Sequence, residues 1–519
     1  MPVTISADGC TTPYRHTKES TAWRHNGTNN SLPFITMDTY DILIVGAGPA
    51  GTCAALRLLS LGYRVAMVER EQFPRPQIGE SLSPGIRNIF DYLDATPLLQ
   101  KAHCLHQLPA HVIWQQQHAD LLPRGHSVMA DRGRLDKGLL DLAVARGLVL
   151  YQPVKYEQSV RHGDTWQVSV RGPEGLQTLS AVFLLDARGR KGIQQQQRWQ
   201  TAPPMVGIWA YVPADDMPRS TCVEAVPDGW LWGAPLYDGR YRILAFTDPP
   251  FVRQQSILSH YLHLLSTTQL FRHAVEKGPL SSLQSCHVFS YVHHRPWHHN
   301  RIQLGEAAFA IDPLSSSGVE KAMRISLQAV IAIHTIFRKN TPAIAQEFFE
   351  SRLAASVVNH MQWTSRYYAE AWPANTHPFW KKRTAPPVGG HSASPFTAKV
   401  EQSLTAYHPP ASSPPKKINI QDTLQQLWHK KLSLSPAISY RQTLCVINDC
   451  VEQKTAVYHP NLGQEVAFLG NHDILPLIQI AQESETFGQL ILRWKQLVPP
   501  DMAIPMILQL WDKQLLCEH

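Results

Sequence analysis

The most constraining feature of this sequence is a glycine-rich turn between an apolar strand and a helix. Residues 42–45 form a strand-like run that leads directly into Gly46-Ala47-Gly48-Pro49-Ala50-Gly51. In such a turn Gly46 permits the tight bend, Gly48 lets the backbone approach a pyrophosphate, and Gly51 lets the helix pack closely on the strand. The pyrophosphate lies at the helix N-terminus, where free N–H groups and the helix dipole favour anions. The turn therefore predicts a dinucleotide site.

A second strand, residues 64–68, ends in Glu69, about 20 residues beyond the glycines, where an acid can bind a ribose hydroxyl. Strand, glycines, helix, second strand and acid agree in register, which disfavours the alternative of an accidental glycine turn. The residues that this segment assigns to cofactor binding are Gly46, Gly48, Ala50, Gly51, Glu69 and Arg70.

The composition predicts a soluble globular protein of the cytoplasm. The 519 residues are 44% hydrophobic and 17% charged, with a mean hydropathy of -0.22. No apolar run approaches the roughly 18 residues of a membrane span, and the first residues lack the apolar core of a signal peptide. The net charge of +7 is not gathered in a block, so nucleic acid is not an expected partner. The eight cysteines form no C-x-x-C pair, which favours a reducing compartment.

The length predicts about three structural units. Residues 1–37 are polar and aperiodic and are interpreted as a flexible extension, and residues 38–383 alternate strands with helices, as α/β domains do. Prolines and serines crowd residues 384–417, which predicts a linker. Residues 418–519 then give a helix, strand-like runs and closing helices, the order of a winged-helix-like domain.

Three further segments resemble those of one family and favour FAD over NAD. RGRLDKGLLDLAVARG resembles an R-x-x-x-D-x-x-L helix, FLLDARGR a D-A-x-G-x element, and IQLGEAAFAIDPLSSSGVEKAM a second FAD motif. Residues 40–383 are thus similar to the flavoprotein monooxygenase superfamily, and within it to the flavin-dependent halogenases and their hydroxylase relatives. Without the resemblance, DPLSSSG is also consistent with a simple helix N-cap.

The resemblance implies a fold and a set of FAD contacts. The fold is α/β: a Rossmann-like FAD-binding domain of the GR2 type with an inserted β-sheet substrate domain, followed by a helical or winged-helix-like domain. Arg134 corresponds to an arginine that lies against the flavin, and Asp312 to a ribityl contact. Gly318 begins a helix that faces the flavin's carbonyl end, and Glu306 stands where the family usually has aspartate. The remaining positions that the motifs assign to FAD are Asp186, Gly189, Pro313 and Ser317.

Two segments resemble those of halogenases more narrowly. FPRPQIGESLSPG resembles a G-E-S-x-x-P segment, and GWLWGAPL resembles W-x-W-x-I-P, with Ala234 in place of isoleucine. The lysine that halogenases carry shortly after the first segment is missing, since no lysine lies between Glu80 and Lys101 and Arg87 stands nearby. A guanidinium stays protonated and does not readily form a haloamine. The sequence therefore favours hydroxylation, with Lys321 and Lys101 left as amines that the fold could bring to the flavin.

The implied reaction is hydroxylation of an electron-rich aromatic ring through a flavin C4a-hydroperoxide formed with O2. No second G-x-G-x-x-G occurs, so NAD(P)H is expected to bind transiently or to act through a separate flavin reductase. Glu80 and Lys321 are the candidate catalytic residues for proton handling, although a structural pair with an arginine explains Glu80 equally well. Trp230 and Trp232 are candidates for stacking on the substrate, or for one face of a strand.

A histidine-rich stretch, CHVFSYVHHRPWHHN, raises the question of a metal site. It contains His287, His293, His294, His298 and His299. No acidic residue or helical pair completes a ligand set, and Pro296 interrupts the spacing. We therefore expect a polar loop on the substrate side and no metal.

The C-terminal unit weakly resembles the winged-helix peptide-recognition modules of enzymes that modify ribosomal peptides. TAVYHPNLGQEVAFLGNHDILPLIQIAQES has their hairpin-then-helix layout, in which an edge strand accepts a peptide. A helical cap or a dimer contact is the somewhat favoured alternative. A peptide-binding tail would make the substrate an aromatic side chain, such as tryptophan, in a peptide or protein. Three functions stay open: a hydroxylase, a halogenase, and a catalytically idle flavin-bound peptide-binding partner.

Overall fold

The computed structural model describes residues 39–101, 103–123, 127–215, 217–254, 256–274, 283–387, 394–406 and 420–518. The predicted extension, residues 1–37, lies outside the described residues. The described chain forms two compact units, the larger from residues up to Val330 together with Glu350–Leu404. The smaller combines Ile331–Phe349 with the residues from Thr405 onward. Among the described helices, none is both long and apolar enough to cross a membrane.

The strands of the larger unit alternate with helices along much of the chain. Its strands are β1 Thr39–Val45, β2 Val65–Val68, β3 Ser81–Leu82, β4 Cys104–His106, β5 Ala110–Ile113, β6 Asp120–Leu122, β7 Val128–Ala130, β8 Val149–Tyr151, β9 Lys155–His162, β10 Thr165–Gly172, β11 Gly175–Asp186, β12 Arg198–Gln200, β13 Met205–Pro213, β14 Thr221–Val226, β15 Gly229–Pro235, β16 Arg240–Thr247, β17 Gln284–Val288, β18 Tyr291–His293, β19 Trp297–His298, β20 Arg301–Gln303 and β21 Phe309–Ala310.

The helices that begin in this unit are α1 Pro49–Ser60, α2 Ile86–Tyr92, α3 Arg132–Ala145, α4 Pro249–Gln254, α5 Ile257–Ser266, α6 Gly318–Lys339, α8 Pro378–Lys381 and α9 Pro395–Thr405. Between α6 and α8 lies α7, Pro342–Ala369. The first residues of α7 belong to the smaller unit and its remainder to the larger one.

A mostly parallel sheet carries the glycine-rich turn. Its order is β19-β20-β11-β1-β2-β8, and the hairpin of β9 and β10 extends it from β11. β1 pairs in parallel with β2 and β11, and β11 pairs in parallel with β20. Because these strands are parallel, Val45, Val68 and Asp186 end at one edge, where α/β proteins bind their ligands. The predicted Rossmann-like domain is confirmed.

A second sheet combines β5 and β6 with the five strands β13–β17, which lie between β11 and the return of the chain to β20. Its order is β17-β13-β16-β15-β14-β5-β6, and its pairs are antiparallel apart from β5 with β14. Its four central strands, β13–β16, are buried at most positions, and α5 packs against the sheet through Tyr261, Leu264 and Leu265. This is the inserted β-sheet domain that the resemblance implied. Two small three-stranded sheets, β12-β18-β21 and β3-β7-β4, complete the unit.

The predicted linker, residues 384–417, is not extended throughout. Pro395–Thr405 form the helix α9, in which Phe396, Thr397 and Val400 are buried. Ser394 caps this helix, since its hydroxyl accepts a hydrogen bond of 3.1 Å from the Thr397 N–H. The proline content led to the prediction of a linker, but proline is well tolerated in the first turn of a helix, where Pro395 lies.

The smaller unit contains a hairpin followed by three helices. Its elements after α7 are α10 Ile420–Leu427, β22 Leu432–Leu434, β23 Ser439–Ile447, β24 Cys450–Tyr458, β25 Phe468–Leu469, β26 His472–Asp473, α11 Ile474–Gln482, α12 Phe487–Trp494, α13 Pro500–Asp512 and β27 Leu516–Glu518. Asn448 and Asp449, both with positive φ, form a two-residue turn that suits the twist of a hairpin. The helical C-terminal region is confirmed. The predicted unit began at residue 418, whereas the observed unit also includes Ile331–Phe349. One contact between these parts of the unit is the hydrogen bond of 2.8 Å that the Val451 N–H donates to Thr335 Oγ1.

Leu490 and Leu492 on α12 allow a matched test of this core. Leu490 is fully buried whereas Leu492 is 56% exposed. We expect Leu490→Ala to lower the free energy of unfolding by roughly 2–5 kcal/mol, because it leaves a cavity among packed helices. Leu492→Ala is expected to change it by less than about 0.5 kcal/mol. Denaturant unfolding followed by circular dichroism checks both, and equal losses would contradict the described packing.

Candidate functional site

The glycine-rich turn joins β1 to α1 with no room for side chains at two positions. Gly46 has φ +108°, and an added Cβ there would lie 2.5 Å from the Ala187 carbonyl oxygen. A Cβ on Gly51 would overlap the carbonyl oxygen of Gly46. Gly48 is different, because the nearest atom to an added Cβ is an Arg75 nitrogen at 3.9 Å. The turn is therefore closed toward the protein and open where a ligand's phosphates would approach.

Two acidic residues mark the ends of the strands beside this turn. Glu69, directly after β2, is buried, and its two carboxylate oxygens accept hydrogen bonds from the Ala47 N–H at 2.7 Å and the Glu71 N–H at 2.8 Å. The carboxylate thus holds the turn itself and keeps lone pairs for a ribose. Arg70, the next residue, is exposed and pairs with Glu71.

Asp186 ends β11 and is held by two arginines. Arg188 and Arg301 contact its carboxylate at 2.6 and 2.7 Å. Burial alone would raise the pKa of Asp186, but the two guanidinium groups outweigh it and lower that pKa. The Asp186 carbonyl also accepts the Leu304 N–H at 2.9 Å, which fixes the chain before the second FAD motif. Gly189, with φ +62°, begins the turn that follows.

The R-x-x-x-D helix presents a different arginine from the one predicted. Arg134 has a side chain that is 54% exposed, and it pairs loosely with Asp131 at 3.6 Å. The side chain of Arg132 is only 7% exposed and forms two hydrogen bonds with Asp136, of 3.0 and 3.1 Å. Arg132 also donates to the carbonyls of Ile78 and Gly79. Since Arg132 and Asp136 are the pair that fits R-x-x-x-D, we correct the match from Arg134 to Arg132.

A cavity of about 370 Å³ lies beside α3 and the G-E-S segment. Both Arg132 and Arg134 line it. Its other charged or aromatic lining residues are Arg75, Glu80, His103, Asp131, Tyr211, Tyr237, Asp238, Arg240 and Arg242. Five arginines against three acidic residues make the lining positive, which suits an anionic ligand.

Glu80 is buried in an ion pair with Arg242 of β16. Its second oxygen accepts the Gly79 N–H at 3.0 Å. Burial raises the pKa of Glu80, and the charge of Arg242 opposes that rise. The structural pairing that the sequence left open is therefore what the geometry shows, and the pair ties the G-E-S segment to the inserted sheet.

The second FAD motif ends in a tight turn before α6. Pro313 begins one turn of 3-10 helix, Ser316 is left-handed with φ 49°, and the hydroxyls of Ser315 and Ser317 lie 2.7 Å apart. Among the described residues, nothing lies within 4 Å of an added Cβ on Gly318, so the N-terminus of α6 is open, like that of α1.

Asp312, which precedes that turn, faces the protein interior. Its carboxylate accepts hydrogen bonds from the Leu314 N–H at 3.0 Å and from the Tyr368 hydroxyl at 3.2 Å. Burial raises its pKa to about 6. The predicted ribityl contact of Asp312 stays a prediction, and the carboxylate is turned toward Tyr368. Glu306, at the variant position of the motif, pairs instead with Arg190 at 3.1 Å.

Lys321 lies one turn into α6 and is half-buried. Burial lowers the pKa of its amine, and the nearby charge of Glu320 opposes this. Glu320 itself bonds the Ser83 hydroxyl and pairs with Arg324 at 2.7 Å. The start of α6 therefore contacts the G-E-S segment through Glu320 and Ser83. The catalytic assignment of Glu80 and Lys321 stays a prediction.

The two tryptophans of β15 belong to an aromatic core. Trp230 is buried, stacks on Phe246 with ring centres 4.1 Å apart, and donates from Nε1 to the Tyr368 hydroxyl at 3.2 Å. Trp232 is half-buried and packs against the same cluster. For Trp230 the strand-face interpretation is correct, and its predicted stacking on a substrate is corrected.

The histidine-rich stretch is divided among separate strands. His287 stacks on Phe289, His298 contacts His299 edge to face, and His293 is buried with its pKa lowered to about 4 by burial. His293 Nδ1 accepts the Arg295 N–H at 2.9 Å, and the His294 N–H donates to the Gln197 carbonyl at 2.9 Å. Within the described part of the chain, no three His, Cys, Asp or Glu side chains converge on a metal-sized site.

The residues of the larger unit fit a dinucleotide cofactor. The N-terminus of α1 has no side-chain cap and no acid in its first turn, and Gly48 leaves space above it. The Arg75 guanidinium lies beside that space, and its buried Nε has no hydrogen-bond partner among the described residues. Fold and site together define a dinucleotide-binding α/β protein.

The comparisons with known proteins give the family. A family model described as tryptophan halogenase matches residues 41–126 and 110–391. The chain belongs to the tryptophan halogenase family, which confirms the resemblance and implies FAD as the cofactor. Tryptophan 2-halogenase of Chondromyces crocatus is 29% identical over 337 residues, a match that spans 60% of this chain but only 64% of that relative. The putative FAD-dependent oxidoreductase LodB of Marinomonas mediterranea is 26% identical over 380 residues, 67% of this chain and 98% of LodB.

Two solved structures share the fold over nearly the whole chain. The flavin-dependent halogenase CmlS superposes with a TM-score of 0.71 at 22% identity, covering 93% of this chain and 96% of CmlS. The peptidyl tryptophan dihydroxylase QhpG superposes with a TM-score of 0.67 at 20% identity, covering 92% of this chain and 100% of QhpG. At these identities the likeness establishes the fold.

Gly51 provides a direct test of the cofactor site. We expect Gly51→Ala to abolish retention of FAD, because the added methyl group overlaps the Gly46 carbonyl and forces α1 away from the turn. Ser60→Ala, at the exposed end of the same helix, is the matched control and is expected to retain FAD. Absorbance near the flavin band after reconstitution and desalting checks both. Equal flavin content in the two variants would contradict the site.

Proposed function

We propose that this protein is an FAD-dependent monooxygenase that hydroxylates an electron-rich aromatic ring. The observation that carries the proposal is the environment of the G-E-S segment. Its acid, Glu80, is paired with Arg242, and the helix that follows, α2, carries Arg87 and contains no lysine. Arginine keeps its proton and does not replace lysine in that role.

The chain's own residues have distinct tasks in this proposal. The N–H groups at the start of α1 bind the pyrophosphate, Glu69 binds a ribose, and the open start of α6 at Gly318 receives the flavin's carbonyl end. Asp186, Gly189, Pro313 and Ser317 shape the walls, and Arg70 remains at the surface. When bound, reduced FAD activates O2. Electrons come from NAD(P)H directly or through a separate flavin reductase.

We propose a tryptophan side chain of a peptide or protein as the substrate. Support comes from the architecture, because the structure of the peptidyl tryptophan dihydroxylase aligns along its entire length, including the region of the smaller unit. A hairpin followed by helices is also a layout in which an extended peptide can add a strand. The alternative that the smaller unit is a helical cap makes a free aromatic compound the substrate.

A halogenase is the second candidate, and Lys321 is the observation that favours it. Its half-buried amine has a lowered pKa, and a neutral amine is the form that reacts with a hypohalous acid. The third candidate, an idle flavin-bound partner, predicts no oxidation of NADH beyond the rate of the reductase alone.

Lys321→Met separates the two enzymatic candidates. The experiment supplies FAD, a flavin reductase, NADH, O2 and bromide to tryptophan-containing peptides and to free tryptophan, with mass spectrometry of the products. The proposal predicts a gain of 16 Da with no bromine isotope pattern, and a change in product yield of less than about tenfold in Lys321→Met, since general acid–base help contributes about 10²–10⁴-fold where it is essential. Lys339→Met, at the far end of α6, is the control. A brominated product that disappears in Lys321→Met would establish the halogenase instead.

A further inference from the structure

A small cavity, lined by both apolar and polar side chains, lies behind the turn that leads into α6. Its volume is about 20 Å³, and the side chains that line it include Thr201, Asp312, His360, Thr364 and Tyr368. All five residues are buried. The hydroxyl of Thr201 is also without a hydrogen-bond partner among the described residues.

These features point to one ordered water molecule in the cavity. A site of about 10–15 Å³ is enough for a water, provided that two to four polar partners surround it. An unpaired buried hydroxyl costs free energy unless such a partner is present. Thr201 and the carboxylate of Asp312 line the same cavity, so a water there can bridge them.

Asp312 is a buried carboxylate that no cation neutralises directly. Among the described residues it has no ion-pair partner, and its carboxylate accepts hydrogen bonds only from the Leu314 N–H and the Tyr368 hydroxyl. Arg383 faces it from the segment after α8, but its guanidinium is bound to Asp248 at 2.8 Å. A carboxylate that is buried without a cationic partner has a raised pKa.

The other titratable groups around Asp312 do not compete for its proton. On α7, His360 accepts the Asp312 backbone N–H through Nε2 at 2.9 Å, and burial lowers its pKa to about 3. Burial raises the pKa of Tyr368 far above neutrality, so this phenol keeps its proton. Lys321, on α6, acts on His360 by its charge. Asp312, whose pKa burial raises to about 6, is therefore the candidate among these groups for a change of protonation near neutral pH.

We propose that Asp312 and the cavity water form a proton store, which takes up a proton when the bound flavin is reduced and returns it during the reaction with O2. The proposal rests on the proposed function, because it places the flavin at residues 313–318. Reduction adds negative charge at that turn, and in a poorly polarisable interior this charge disfavours a second anion beside it. The proton enters from solvent through the cavity water and binds a carboxylate oxygen.

The stored proton has a defined use in the overall reaction. The reduced flavin anion, O2, an aromatic C–H group and one proton yield oxidised flavin, a phenolic C–OH group and water. The electron pair of the broken O–O bond leaves on the oxygen that becomes water, and the store supplies its missing proton. Halogenation consumes two protons from outside and releases two waters, so it needs such a store as well.

The test measures proton uptake on reduction, without any substrate. The FAD-loaded protein is photoreduced anaerobically in weak buffer with a pH indicator, between pH 5 and 8. Burial raises the pKa of Asp312 to about 6. Its pKa rises on reduction, so the extra uptake is expected above pH 6 and absent near pH 5, where the group is already protonated. Asp312→Asn is expected to lose this extra uptake completely.

A second variant and a control keep the result decisive. Tyr368→Phe removes a hydrogen bond that stabilises the carboxylate, so it is expected to move the uptake to higher pH and not to abolish it. The control, Glu224→Gln, neutralises another buried carboxylate, one that accepts hydrogen bonds from the N–H groups of Gln269 and Leu270. Equal uptake by the wild type and Asp312→Asn, or an unmoved profile in Tyr368→Phe, overturns the proposal. Failure of the wild type to bind FAD would instead overturn the proposed function.

Discussion

The close approach of α1 to β1 is the constraint on which the rest of the site depends. The α-carbon of Gly51 lies against the carbonyl oxygen of Gly46, so the helix starts directly over the end of the strand. This contact aims the N–H groups of α1 at the edge where Glu69 and Asp186 also end their strands. The acids then hold the turn and the following segment through backbone N–H groups and arginines.

A second constraint is the way in which the larger unit uses buried charge. Each of three buried acids has a cationic partner. Asp186 lies between two arginines, Asp136 forms an ion pair with Arg132, and Glu80 forms one with Arg242. Buried pairs of this kind contribute little net stability but are costly to break, because the remaining charge is left unpaired. They therefore fix the orientation of the segments around the proposed flavin position. Asp312 has no cationic partner among the described residues and also lines the cavity behind the turn of residues 313–318, and for these two reasons it is the candidate for changing its protonation.

Much of the fold followed from the sequence because local signals agreed there. The strand of residues 42–45, the three glycines and Glu69 are close in sequence, so periodicity and spacing determine their arrangement. The hairpin around Asn448 and the helices that close the chain were also predicted from short-range patterns. The helix α9 was missed because the prolines and serines near it are typical of linkers.

The site was less predictable because its side chains are arranged by contacts distant in sequence. The register of α3 decides that Arg132 is buried and Arg134 exposed, although the correct spacing to Asp136 was present in the motif. Asp312 turns inward because Tyr368, 56 residues later, offers a hydroxyl. Trp230 is a core residue because Phe246 and Tyr368 pack around it.

Hydrogen exchange followed by mass spectrometry, with and without FAD, tests the central claim most directly. The account predicts that FAD slows exchange in the peptides that contain residues 46–55 and 313–321, where the two open helix starts would hold the two ends of the cofactor. It also predicts little change in the peptides of α12 and α13. Protection confined to the C-terminal helices, or no protection at saturating FAD, would contradict the account.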